Sequence, residues 1–100
     1  MTSFDESLAT VRQTIDGLDG QIIELIAQRQ AQVIRAGELK RGRGEDAVRA
    51  PARVDDVIRK VRALATTASA SPDVVEATYR AMISAFITLE LETHMSKPGS

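Results

Sequence analysis

Three charged side chains stand where amphipathic helices normally bury apolar ones. In the stretch IAQRQAQVIRAGELK, residues 26–40, the heptad step from Ile15 to Ile22 continues to Arg29. Lys40 follows eleven residues later, close to three helical turns, and so projects from nearly the same face. Further along the chain, Ile83 and Phe86 lead by steps of seven and four to Glu90. Two cations and one carboxylate therefore point into the interior that these helices enclose. Buried unpaired charge is costly, so partly matched charges on inward faces need a compensating group. A small dianion would provide one.

Arg12 joins this set by a different route. It precedes Arg29 by seventeen residues, about 25 Å along a helix axis and a quarter turn around it. One chain cannot aim both side chains into one pocket. Across an antiparallel two-fold dimer, Arg12 of one chain approaches Arg29 of the other, and the symmetry makes two such pockets. Each residue alone has an ordinary structural explanation. A seam arginine can snorkel or form half of an ion pair, and Lys40 lies near a helix C-terminus that favours a cation. Glu90 would also fit a solvated helix end, and Arg49 and Arg53, four apart, a surface face. The single histidine, His94, is assigned no role. The joint pattern is what points to anion binding.

The elements that carry these residues are helices. Leu8, Val11, Ile15, Leu18, Ile22 and Leu25 step by three and four, and the pattern runs on through Val33, Ile34, Ala36 and Leu39. Gly17 and Gly20 weaken it locally without a proline to end it. The break comes at GRG, residues 42–44, giving a first helix of about 36 residues and roughly 54 Å. A compact chain of this size has a radius of gyration of about 13 Å, so such a helix overhangs its partners and leaves apolar surface for a second copy. Residues 41–50 read as a polar, glycine-bearing loop. Pro51 suits the first turn of a second helix, carried by Val54, Val57, Ile58, Val61 and Leu64. TTASAS marks a connection, after which Ser71-Pro72-Asp73 reads as N-cap, first helical residue and acidic first turn. The third helix turns Val75, Tyr79, Met82, Ile83, Phe86 and Leu89 inward. The expected fold is all-α: one long and two shorter helices in a single domain over residues 1–95, intertwined with a second copy. Residues 96–100, SKPGS, are expected to form a disordered tail.

Composition narrows the chemistry. The chain has 100 residues, a net charge of -1 and no cysteine, which excludes disulfides and a Cys/His zinc site. That charge gives no general case for nucleic acid or an anionic membrane, and Arg41 and Arg43 are followed by Glu45 and Asp46. The opening MTSFDESLAT lacks the basic and apolar regions of a signal peptide, and no apolar run approaches the ~20 residues of a membrane span. A cytoplasmic protein is the expectation.

With these residues in place, VRQTIDGLDGQIIELIAQRQAQVIRAGELK resembles the first helix of the all-helical chorismate mutases. The shared features are Arg12, Ile15, Leu18, Asp19, Arg29 and Lys40. APARVDDVI resembles the start of that family's second helix, with Arg53 at its arginine position, and YRAMISAFITLELE resembles the third helix, with Glu90 at a glutamine-or-glutamate position. The resemblance covers roughly residues 8–93.

It implies an intertwined homodimer with two active sites, each borrowing one arginine across the interface. Chorismate, a small dicarboxylate, would rearrange to prephenate by a pericyclic shift that needs no cofactor, metal or covalent intermediate. Carried over, Arg12 from the partner chain and Arg29 clamp the two carboxylates, and Arg53 adds to the anionic pocket. Lys40 donates to the ether oxygen whose bond breaks, helped by Glu90. To donate there Glu90 must carry a proton, so activity is expected to decline from acidic toward alkaline pH.

Two positions depart from the family pattern. Val54 stands where the mutases usually carry an acidic residue that holds the ring hydroxyl, and Phe86 stands where a serine is common. APARV is closer to the isochorismate pyruvate lyases of the same family, whereas Glu90 leans away from them. The mutase reaction is the favoured reading. Isochorismate pyruvate lyase and 4-amino-4-deoxychorismate mutase are the alternatives within the family, and a non-catalytic helical dimerisation module is the alternative outside it.

Overall fold

The computed structural model describes residues 3–95, so the expected tail at 96–100 lies outside the described residues, as does the side chain of His94. All regular structure among them is helical: α1 (Phe4–Leu39), α2 (Glu45–Arg49), α3 (Pro51–Thr67) and α4 (Pro72–Met95). The chain divides into two compact units, Met1–Gln32 and Val33–Ser100.

The first unit is the greater part of α1. Ser3 caps it, its hydroxyl oxygen accepting from the Glu6 amide at 3.1 Å, and Asp5 and Glu6 place negative charge against the positive end of the helix dipole. α1 is 36 residues long, as the periodicity predicts. No residue of it is buried: Val11, Ile15, Leu18, Ile22 and Leu25 are each about half exposed or more.

The second unit holds the core. α4 packs against α3 and α2, and the apolar interior consists of Val48, Ile58, Val61, Ala65, Ile83 and Phe86. Burying an aliphatic or aromatic side chain of this size is worth about 1.5–3 kcal/mol relative to leaving it in water. Ile58, Val61 and Ala65 follow the three-and-four rule, so Ala65 takes the inward position after Val61. Leu64 turns aside and is 65% exposed, against the expectation that it lines the core.

Local signals set the boundaries of this unit. After Leu39 the chain leaves the helix through Gly42 and Gly44, both at positive φ, a conformation that costs residues with a Cβ. The predicted loop at 41–50 contains a short helix, α2, that hydropathy periodicity over five residues is too short to show. Its first turn is acidic, Arg49 pairs with Glu45 at 2.7 Å, and Val48, 3% exposed, pins it to the core. Ala50 then adopts a left-handed conformation (φ 38°, ψ 61°) and α3 begins at Pro51 as expected. A residue before proline is disfavoured in the right-handed helical region, so the break falls here. α3 closes in a Schellman motif: the amide of Ala70 donates to the Ala65 carbonyl at 2.8 Å, that of Ser69 to Thr66 at 3.2 Å, and Ser69 has φ 61°. At the start of α4 the Ser71 hydroxyl accepts from the Val74 amide at 3.2 Å, the N-cap predicted for it.

Candidate active site

The last turns of α1 and the end of α4 meet around one ion pair. Lys40 is one residue past the end of α1, where its amide still donates to the Ala36 carbonyl at 3.0 Å. Its ammonium donates to Oε2 of Glu90 at 3.5 Å, with 30% of the Lys40 side chain and 8% of the Glu90 side chain exposed. Glu90 is on the inward face of α4, one turn beyond Phe86 and two beyond Ile83, as its spacing predicts. No buried side-chain nitrogen or oxygen among the described residues lacks a hydrogen-bond partner. Lys40 is thus the cation that makes a carboxylate tolerable at this depth.

Gly37 allows that carboxylate to lie against α1. A Cβ built on Gly37 would stand 3.2 Å from Cγ of Glu90, 3.5 Å from Cδ and 3.6 Å from Oε2. By contrast, Gly17 and Gly20 have no heavy atom within 4 Å of where a Cβ would be. Gly37 was not among the residues singled out from the sequence. The available signal was a glycine within the helix three residues before Lys40, at a position where alanine would favour the helix by about 1 kcal/mol.

The other expected site residues fall into the two units. Val54 is half-buried, Phe86 is buried and Arg53 is exposed, all in the unit that contains Lys40 and Glu90. Arg12, exposed, and Arg29, half-buried, belong to the first unit and sit on the same helix, seventeen residues apart. Lys40 and Glu90 are brought into direct contact.

A second charged cluster clips α3 to α4 away from this pair. Arg62 donates to Asp73 at 3.1 Å and to Glu76 at 2.8 Å, and Arg80 donates to Glu76 at 2.6 Å. The hydrogen bond from Arg80, then that from Arg62, holds the Glu76 carboxyl below its ordinary range, while Asp73 and then Glu76 raise the Arg62 guanidinium. Asp73 and Arg80 are exposed and Arg62 and Glu76 are half-buried, so each pair contributes little alone. Sequence reading placed Asp73 only against the helix dipole, because its partner lies eleven residues back on another helix.

Chemically, the site offers a partly exposed ammonium beside a buried carboxylate at a helix junction. That suits a neutral or anionic oxygen arriving from the open side of Lys40. Among the described residues no group of three or more His, Asp or Glu is arranged to hold a metal ion, and no helix is long and apolar enough to cross a membrane.

The family model for chorismate mutase type II matches residues 11–91. The chain belongs to that family. The matched span includes Arg12, Arg29, Lys40, Arg53, Val54, Phe86 and Glu90. Family membership supports chorismate mutase-type activity in general, with a small molecule as substrate. No curated protein and no solved structure matches the chain significantly.

Proposed function

We propose that the protein is a chorismate mutase, isomerising chorismate to prephenate in a site lined by two copies of the chain. The observation that carries this reading is the Lys40–Glu90 pair, a cation held by a buried carboxylate within a family match of residues 11–91. In the reaction the ether C–O bond breaks as a new C–C bond forms, so the product is an isomer and no co-reactant enters. Negative charge grows on the ether oxygen as its bond lengthens. Lys40 stabilises that charge, and Glu90 holds the ammonium in place for it.

The substrate's extended form is unreactive, so holding its compact form supplies proximity and orientation. That task falls to Arg29 and to Arg12 of the partner subunit, whose planar forks match carboxylates better than an ammonium does. Arg53 adds positive charge to the pocket, and Val54 and Phe86 shape its wall. In this reading residues 1–95 act as one domain and the working unit is an intertwined homodimer. The exposed apolar residues of α1, from Val11 to Leu25, support a second copy as their cover. No cofactor takes part.

Val54 supports a second reading within the family. A half-buried valine cannot accept a hydrogen bond from a ring hydroxyl, which suits a substrate with its hydroxyl elsewhere, such as isochorismate. The deciding experiment assays chorismate and isochorismate side by side, reading prephenate and salicylate separately at acidic and neutral pH. Prephenate as the dominant product is expected. Dominant salicylate would make the protein a pyruvate lyase. Neither product from a folded protein would direct the test to 4-amino-4-deoxychorismate, and failure there would leave a helical dimerisation module.

A further inference from the structure

We infer that Gly37 is a positioning residue for the reaction, its missing side chain setting where the Glu90 carboxyl stands relative to Lys40. The inference rests on the reading of Lys40 and Glu90 as catalytic residues and adds a third position to that pair. Gly37, Lys40 and Glu90 all belong to the same compact unit.

A Cβ at position 37 would meet three successive atoms of the Glu90 side chain, Cγ at 3.2 Å, Cδ at 3.5 Å and Oε2 at 3.6 Å. The first of these is tighter than ordinary carbon–carbon contact, so Glu90 would have to withdraw by a few tenths of an ångström. Oε2 is also the atom that accepts from Lys40, at a separation of 3.5 Å that is already long for a hydrogen bond. A shift that lengthens it weakens the pair. Glu90 has little freedom to compensate, because only 8% of its side chain is exposed and Phe86, one turn back, is buried.

Helix energetics point the same way. Glycine within a helix is less favourable than alanine, and Gly37, in the last turn of α1, is still helical and not at positive φ. Its conformation gives no reason for glycine; the contact with Glu90 does. Gly20, in the same helix with open space around it, is the natural control.

The test is Gly37→Ala in the full chain, with kcat and KM measured on chorismate alongside the melting temperature. A displacement of a few tenths of an ångström is expected to lower kcat about tenfold, given that a 1 Å misplacement can cost a hundredfold. KM should stay within about twofold, and the melting temperature should change by only a few degrees, because the helix preference of alanine offsets a weakened Lys40–Glu90 pair. Gly20→Ala should raise the melting temperature without changing kcat. In a Glu90→Ala background the side chain that Gly37 accommodates is gone, so adding Gly37→Ala should leave the residual kcat unchanged.

Unchanged kcat in Gly37→Ala would overturn the inference, and so would an equal loss in the Glu90→Ala background. A readout independent of turnover separates this inference from the proposed function. The ¹³C resonance of the Glu90 carboxyl should move in Gly37→Ala and not in Gly20→Ala. If the parent protein converted none of chorismate, isochorismate and 4-amino-4-deoxychorismate, the catalytic reading would fall. The resonance would then decide alone whether Gly37 positions Glu90, an unmoved signal overturning that as well.

Discussion

Removing Lys40 should cost more stability than removing the charge of Glu90, although the two share one ion pair. The reason is their unequal access to water. At 3.5 Å and an effective dielectric constant of about 20, the pair attracts by roughly 5 kcal/mol before desolvation is subtracted. Lys40→Met keeps the aliphatic stem but strands a carboxylate whose side chain is 8% exposed. Breaking a fully buried pair costs about 3–5 kcal/mol; with Lys40 30% exposed, about 2 kcal/mol is the appropriate figure. For a domain of this size that lowers the melting temperature by about 10 °C. Glu90→Gln leaves Lys40 free to take up water and keeps a carbonyl oxygen for it to bond, so the loss should stay below about 1 kcal/mol. The double variant should recover at least half of the Lys40→Met loss. Thermal unfolding followed by circular dichroism, at neutral pH and one fixed protein concentration, measures all four proteins. Equal losses from the two single variants, or a double variant no better than Lys40→Met, would refute the reasoning.

Three further outcomes follow from other parts of the molecule. Arg12→Ala and Arg29→Ala should each be inactive alone, yet mixed after unfolding and refolding they should regain about a quarter of parental activity, because half of the dimers are mixed and each has one intact site; no recovery would rule out the shared site. Ser69→Gly should raise stability by about 0.5–1 kcal/mol in chemical denaturation, since Ser69 holds the left-handed position of a Schellman motif at φ 61°. Glu76 has its carboxyl held down by Arg80 and Arg62, so its contribution to stability is present above its ordinary value of 4.5 and is lost as pH falls through the lower folded value. Glu76→Gln should therefore show a smaller drop in melting temperature than the parent between about pH 5 and pH 3.

Much of the fold was legible because local chemistry decides it. The 36 residues of α1, the break at Gly42 and Gly44, the start of α3 at Pro51 and the Ser71 cap of α4 all follow from periodicity, proline, glycine and hydroxyl signals within a few residues of each boundary. The inward aim of Glu90 was legible too, since its spacing from Ile83 and Phe86 is a property of one helix. Other features depend on contacts that no single helix contains. α2 is pinned by Val48 against α4, and Leu64 is turned out because Ala65 fills the inward position. Arg62 finds Asp73 and Glu76 across the α3–α4 connection.

By itself, then, the sequence determined an all-helical chain with Arg29, Lys40 and Glu90 on apolar faces, because one-dimensional spacing dictates which side of a helix a residue occupies. Only the tertiary structure decided that Lys40 and Glu90, fifty residues apart, form a pair at 3.5 Å and that Gly37 is the residue making room for it. Such a contact depends on how closely two helices approach, and that distance is set by packing from both sides.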